Sequence, residues 1–101
     1  MIDLPAVQKR VFANKVNKGF NVTDIYMEFC YTQGELSEAF HAYAQKDPDV
    51  GEELADVAIY LLGLAEILHV DLEQEILSKM DKNERRQYIQ QDGKTIRVEG
   101  E

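Results

Sequence analysis

The stretch LADVAIYLLGLA, from Leu54 to Ala65, is strongly apolar, and Asp56 is its only charged residue. When the stretch and the three residues after it are projected as a helix, at about 100° per residue, apolar side chains form one continuous face. That face holds Leu54, Val57, Ala58, Leu61, Leu64, Ala65 and Leu68. Three more apolar side chains lie outside it: Ile59, Tyr60 and Leu62. A helix that is apolar nearly all round should be buried on several sides, so we expect an all-α protein built around it.

Capping and breaking signals divide the chain into four helices and a tail. The helices should run from Asp3 to about Asn17, from about Asp24 to Gln45, from Asp49 to about His69 and from about Leu72 to Gln87. Two pairs are spaced as capping boxes: Asp49 with Glu52 and Asp71 with Gln74. After Tyr88, the Asp92-Gly93 pair between two β-prone segments predicts a short hairpin or extended tail. We therefore expect a helical domain over residues 1–88 and a tail over residues 89–101.

Length and charge limit the classes of partner. With 101 residues and 45% hydrophobic residues, the chain should form one domain with a small core. The net charge of −8 argues against a nucleic-acid polymer, because basic surface supplies most of the affinity for such a polymer. The longest apolar run is shorter than the roughly 20 residues of a membrane span. We expect no membrane partner.

Two further features indicate the cellular location and the assembly. The single cysteine, Cys30, cannot form an internal disulfide, and no charged-then-apolar leader follows Met1. We therefore expect a cytoplasmic protein in which Cys30 is a small core residue. The apolar helix needs more cover than three partner helices of this size provide, so we expect a homodimer or homotetramer to complete the bundle.

Glu35-x-x-Glu38 and Glu53-x-x-Asp56 are two pairs of carboxylates, each spaced to share one face of a helix. The link near Asp47 is short, so the two helices should be antiparallel, with Glu38 facing Asp56 and Glu35 one turn away. Four carboxylates around one point repel unless a divalent cation lies between them, and oxygen ligands favour Mg²⁺ or Mn²⁺. The spacing therefore predicts a metal site.

Other interpretations of these residues stay open. The three glutamates could form a solvated helix face, and Asp56 could belong to a structural ion pair. Glu38-x-x-His41 and Glu66-x-x-His69 are two copies of the Glu-x-x-His motif of di-iron bundles. The second copy, however, begins roughly 15 Å along the helix axis from Asp56, so one subunit cannot bring both copies to one metal.

Three blocks of sequence, taken in order, carry a resemblance. They are GELSEAF from Gly34 to Phe40, EELADVAIYL from Glu52 to Leu61, and the run from His69 to Asn83. Together they resemble the MazG-like, all-α nucleoside triphosphate pyrophosphohydrolases, and the last two blocks are especially similar to the dCTP pyrophosphatase branch. The resemblance implies a four-helix MazG-like bundle that cleaves nucleoside triphosphates between the α and β phosphates with Mg²⁺.

The resemblance also implies roles for individual residues. The metal ligands would be Glu35, Glu53 and Asp56, with Glu38 as an additional carboxylate, and Glu35 or Glu38 would accept the proton of the attacking water. The residues implied to contact substrate are Lys79 and Asn83 at the phosphates and nucleotide, Arg86 one turn further along, and Phe20 against the base.

Thr32 departs from the family pattern, because the family usually has another metal-binding glutamate at this position. A hydroxyl is a poor Mg²⁺ ligand beside a carboxylate, although Glu28, one turn earlier, could replace the missing ligand. Two other functions therefore stay open: a catalytically impaired nucleotide-binding protein, and a helical assembly module whose carboxylates only make its surface soluble.

Overall fold

The computed structural model describes residues 1–98, which form four helices followed by a hairpin. The helices are α1 (Leu4–Asn17), α2 (Ile25–Ala44), α3 (Val50–Ile67) and α4 (Leu72–Arg85). The strands β1 (Tyr88–Gln91) and β2 (Lys94–Arg97) pair antiparallel. The all-α prediction with a short C-terminal hairpin is confirmed. Helix α4 ends at Arg85, two residues before the predicted end.

Aspartates begin the helices, as their positions before the apolar patterns predicted. Three of them accept a hydrogen bond from the backbone N–H three residues later, at 3.1–3.2 Å: Asp3 from Ala6, Asp24 from Met27 and Asp71 from Gln74. The capping box predicted at Asp49 is wrong, because the Asp49 side chain makes no capping hydrogen bond. The neighbouring Asp47 carboxylate instead accepts from the Asp49 N–H at 2.8 Å, within the link.

This difference predicts unequal effects of removing the two caps. Asp24→Ala should destabilise the fold by about 1 kcal/mol, since the Met27 N–H then loses its acceptor at the start of α2. Asp49→Ala is the matched control, because it removes the same residue type at the start of α3 without breaking a capping bond. Urea denaturation of both variants measures the difference. Equal losses would mean that the charge, rather than the hydrogen bond, stabilises these helix starts.

The helices pack unevenly around α3. Helices α2 and α1 both pack on α3, α2 more extensively than α1, and α4 packs mainly on α1. At Gly63, a Cβ atom would come within 3.0 Å of the Lys15 Cε and 3.1 Å of the Val11 Cγ1, so the glycine permits α1 to approach α3 closely. The buried apolar core is small and consists of Ala39, Ala42, Leu62, Leu64 and Ala65.

Parts of α3 that were predicted to be buried are exposed in the single chain. Leu54, Leu61 and Leu68 keep 54%, 45% and 39% of their surface exposed. Helix α4 packs mainly on α1, so residues 1–98 of one chain leave this part of the apolar face uncovered, as expected if three partner helices are too few to cover α3. Cys30 is also exposed, so the expectation of a core cysteine was wrong. Among the described residues, no helix combines the length and the apolar character that a membrane crossing requires.

Candidate metal centre

Three carboxylates from two helices meet between α2 and α3. Glu35 and Glu38 come from α2 and Glu53 from α3, and one oxygen of each lies within 4.8 Å of the others. Glu35 and Glu53 are partly buried, whereas Glu38 is exposed. The link between the helices is short and is closed by a backbone hydrogen bond from Asp47 N–H to the Ala42 carbonyl, at 2.9 Å. The chain therefore folds back at once and brings the two acidic segments level.

Asp56 lies beside this group rather than within it. It is one helical turn after Glu53 and is half-buried. Its charge is close enough to raise the pKa of both Glu35 and Glu53. Among residues 1–98, neither ion pair involves Asp56. The alternative of a structural ion pair therefore has no cation to support it in the part of the chain that the structure describes.

The electrostatics of the group favour taking up a proton or a cation. Burial is the largest cause that raises the pKa of Glu35, followed by repulsion from Glu38, a hydrogen bond shared with Glu38, and the charges of Asp56 and Glu53. Burial is also the largest cause that raises the pKa of Glu53, and the charges of Asp56 and Glu38 raise it further. A divalent cation would relieve both the lost hydration and the mutual repulsion.

The raised pKa of Glu35 predicts how the stability of the metal-free protein depends on pH. Between the ordinary value of 4.5 and the raised value, the folded state binds more protons than the unfolded state. Protonation of Glu35 therefore contributes its full share to the stability of the fold below about pH 4.5. That contribution is lost as the pH rises through the folded-state pKa. Glu35→Gln cannot titrate, so it should stabilise the protein most at neutral pH and lose that advantage on acidification.

Melting temperatures of both proteins across this pH range, measured with a chelator, test the prediction. Glu84→Gln is the control, because Glu84 lies on α4 and its charge is not among those that raise the pKa of Glu35 or Glu53. A stabilisation by Glu35→Gln that is the same at every pH would contradict it.

An open cleft of about 600 Å³ adjoins the carboxylates. Its walls come from the C-terminal half of α2, the following link and the start of α3. The lining residues are Ser37, Glu38, His41, Ala42, Gln45, Asp47 and Glu53. Two of the clustered glutamates therefore face a space in which a small ligand could lie.

Glu28 does not replace the ligand that Thr32 lacks. Its side chain is 1% exposed, and its two carboxylate oxygens accept hydrogen bonds from Lys15 Nζ at 2.6 Å and Asn21 Nδ2 at 3.0 Å. The Thr32 hydroxyl donates to the Glu28 carbonyl at 2.8 Å, within the helix. A buried carboxylate needs a cation, and Lys15 already supplies it. The suggestion that Glu28 reaches the metal site is therefore wrong.

Lys15 and Tyr60 are neighbours of the site that the sequence reasoning missed. Lys15 Nζ lies 4.8 Å from the centre of the Tyr60 ring, and Tyr31 meets that ring edge-on at 6.5 Å. The pKa of Tyr60 is raised mainly by burial, and the charges of Glu35 and Glu28 raise it further. The sequence did contain a signal, since Lys15 continues the four-residue spacing of Val7 and Val11 on α1.

The two histidines of the di-iron alternative do not join the carboxylates. The acidic group within residues 1–98 contains only glutamates. Glu66 accepts a hydrogen bond from the Gln8 Nε2 at 3.2 Å, at the opposite end of α3 from Glu53. His69 follows α3 with a φ of 59°, where it forms part of the turn into α4.

The residues implied to contact substrate are placed away from the carboxylates within one chain. Lys79 and Asn83 lie on α4, and Arg86 follows it directly. Helix α4 packs mainly on α1, whereas the carboxylates lie between α2 and α3. Phe20 is in the link after α1 and is 54% exposed. A single chain therefore presents the acidic and the basic residues on separate parts of its surface.

Comparisons with known proteins add an independent indication. The model of the MazG-like family matches residues 27–98. The dCTP pyrophosphatases 1 of Mus musculus and Homo sapiens are each 42% identical over 64 residues, and that of Rattus norvegicus is 41% identical. The match covers 52% of this chain and 38% of each relative, so the chain spans well under half the length of these curated relatives. No solved structure is significantly similar.

Proposed function

Because the chain belongs to the MazG-like family, we propose that it is a nucleoside triphosphate pyrophosphohydrolase that releases a nucleoside monophosphate and pyrophosphate. The observation that carries this proposal is the meeting of Glu35, Glu38 and Glu53 beside an open cleft. A triphosphate carries about four negative charges, so an acidic group can bind it only through cations. The similarity to dCTP pyrophosphatases 1 supports the same class of substrate.

Mg²⁺ is the proposed cofactor, with Mn²⁺ as a substitute, because every candidate donor is a carboxylate oxygen. Glu35, Glu53 and Asp56 would hold the ion, with Glu38 as an additional or outer ligand. When bound, the metal neutralises phosphate charge and lowers the pKa of a coordinated water. The glutamates then have a second task, since Glu35 or Glu38 can accept the proton of the attacking water.

A second copy of the chain is part of the proposal. Three large aromatic side chains on α2 are strongly exposed: Tyr26 at 87%, Phe40 at 71% and Tyr43 at 72%. In a homodimer or homotetramer, these side chains and the open side of α3 would be covered. The partner could also bring Lys79, Asn83 and Arg86 to the substrate, with Phe20 against the base. A monomer by light scattering at micromolar concentration would contradict this assembly.

A substrate screen tests the proposed activity. All common ribo- and deoxyribonucleoside triphosphates are incubated with Mg²⁺, and the products are resolved by phosphorus NMR. We expect monophosphate plus pyrophosphate, and release of a single phosphate would contradict the proposal. Glu53→Gln should remove the activity, whereas Glu52→Gln, which alters the preceding residue on α3, should retain it.

Thr32 favours one alternative function, a nucleotide-binding protein with impaired catalysis. Calorimetry with nucleotide and Mg²⁺ distinguishes the alternatives: binding without turnover indicates the impaired binder, and absence of both indicates the assembly module. If the protein is an impaired nucleotide binder, Thr32→Glu should gain activity because it adds a carboxylate on the face of α2 that carries Glu35.

The cytoplasmic location and the absence of nucleic-acid partners remain predictions from sequence.

A further inference from the structure

Four basic side chains gather where α4 ends and the hairpin begins. Lys79, Lys82 and Arg86 are spaced by three and four residues, so they lie along one side of the helix end. Strand β2 returns to this point, because Arg97 pairs with Tyr88 and the Val98 N–H donates to the Gln87 carbonyl at 2.7 Å. The hairpin thereby places Arg97 beside the helix end. We call these four residues the basic cluster.

Lys79 is close enough to the other three members of the basic cluster for their charges to act on it. The pKa of Lys79 is lowered mainly by the charge of Arg86, then by burial, and further by Lys82 and Arg97. The Arg86 Nε is buried and has no hydrogen-bond partner within residues 1–98. The two ion pairs of this part of the chain, Lys15–Glu28 and Arg85–Asp81, involve none of the four. Repelling cations with an unused donor indicate a site for an anion.

The helix dipole does not account for the whole cluster. Cations stabilise the last turn of a helix, and Lys82 and Arg85 lie in that turn of α4. Lys79 lies before that turn, and Arg97 belongs to a different element. The dipole also leaves the buried Arg86 Nε without an acceptor. A ligand with several acceptor oxygens would neutralise Lys79 and Arg97, the two cations that the dipole does not explain.

We propose that Lys82 and Arg97 complete, with Lys79 and Arg86, a site for the pyrophosphate unit of the substrate. This inference rests on the proposed function, from which it takes the substrate class, and it extends the contacts to a residue of the hairpin. Two linked phosphate groups offer acceptors to more than one side chain, and an arginine can bind phosphate oxygens through two parallel hydrogen bonds. In this proposal, the hairpin positions Arg97 at the end of α4.

Calorimetric titration of the metal-free protein with inorganic pyrophosphate tests the inference. Arg97→Gln should weaken binding by about threefold to tenfold, as expected for loss of one charge-assisted contact in water. Lys94→Gln is the matched control, because Lys94 lies on the same strand, at its turn end opposite Gln91. It should leave the affinity unchanged. Equal weakening in Arg97→Gln and Lys94→Gln, or none in either, would overturn the proposal. Lys82→Gln should weaken binding as Arg97→Gln does.

Turnover measurements separate this inference from the proposed function. If the protein binds pyrophosphate through Arg97 but releases none from any triphosphate, the proposed activity is wrong and the anion site stands. If the protein is active and Arg97→Gln alters neither the KM nor the affinity for pyrophosphate, the anion site is wrong and the activity stands. Melting curves of both variants establish that they fold.

Discussion

Asp56→Asn should abolish turnover and yet leave the metal-free protein as stable as the original, or more stable by about 1 kcal/mol. Asp56 is half-buried on α3 and raises the pKa of Glu35 and Glu53 by repulsion. Removing its charge relieves that repulsion. It also removes a proposed metal ligand, so the stabilisation gained on adding Mg²⁺ should shrink, because a ligand stabilises only as far as it binds the folded state.

Melting curves of the original protein and of Asp56→Asn, each measured with Mg²⁺ and with a chelator, test the stability part of this prediction. The rate of pyrophosphate release tests the loss of turnover. A structural ion pair makes the opposite prediction, since removal of one partner strands the other and costs about 3–5 kcal/mol. A large destabilisation of the metal-free variant, with an unchanged response to Mg²⁺, would therefore refute the metal site.

Glu28→Ala should destabilise the fold by about 3–5 kcal/mol, the largest effect on stability that we expect from a single substitution in this chain. The side chains of Lys15 and Glu28 are 8% and 1% exposed, and their ion pair joins α1 to α2 at 2.6 Å. The variant leaves the Lys15 ammonium buried beside the Tyr60 ring, without an ion-pair partner among residues 1–98. Since small domains have a total stability of roughly 5–15 kcal/mol, this loss would remove a large share of the stability of the fold.

Two further variants test whether the effect comes from a stranded charge. In the double variant Lys15→Met, Glu28→Leu, both charges are replaced by apolar groups, so it should be far more stable than Glu28→Ala alone. Asp81→Ala breaks the exposed ion pair with Arg85 and should change stability by no more than about 0.5 kcal/mol. Urea denaturation gives all three values. If the double variant is as unstable as Glu28→Ala, the loss comes from packing and not from an unpaired cation.

The elements of this fold could be predicted from the sequence because the signals that determine them are local. Asp24 and Asp71 accept hydrogen bonds from residues three positions later, so their effect depends on the neighbouring chain alone. Asp92 and Gly93 adopt φ values of 52° and 74°, which these two residue types tolerate well. The short link also predicted that the acidic segments of α2 and α3 would lie level, although the sequence placed Glu38 opposite Asp56, whereas the residue of α3 in the group of three is Glu53.

The tertiary structure alone decided which side chains are buried and which charges meet. Glu28 seemed available to a metal until the close approach of α1 to α3 at Gly63 placed Lys15 against it. Leu54 and Leu61 lie on the apolar face that the sequence predicts, but only the packing of α4 on α1 determined that residues 1–98 leave them exposed. Helical periodicity gives the face on which a residue lies, but not the neighbour that the face will contact. That choice depends on the packing of segments distant in sequence, and so do the partner of Glu28 and the position of α4.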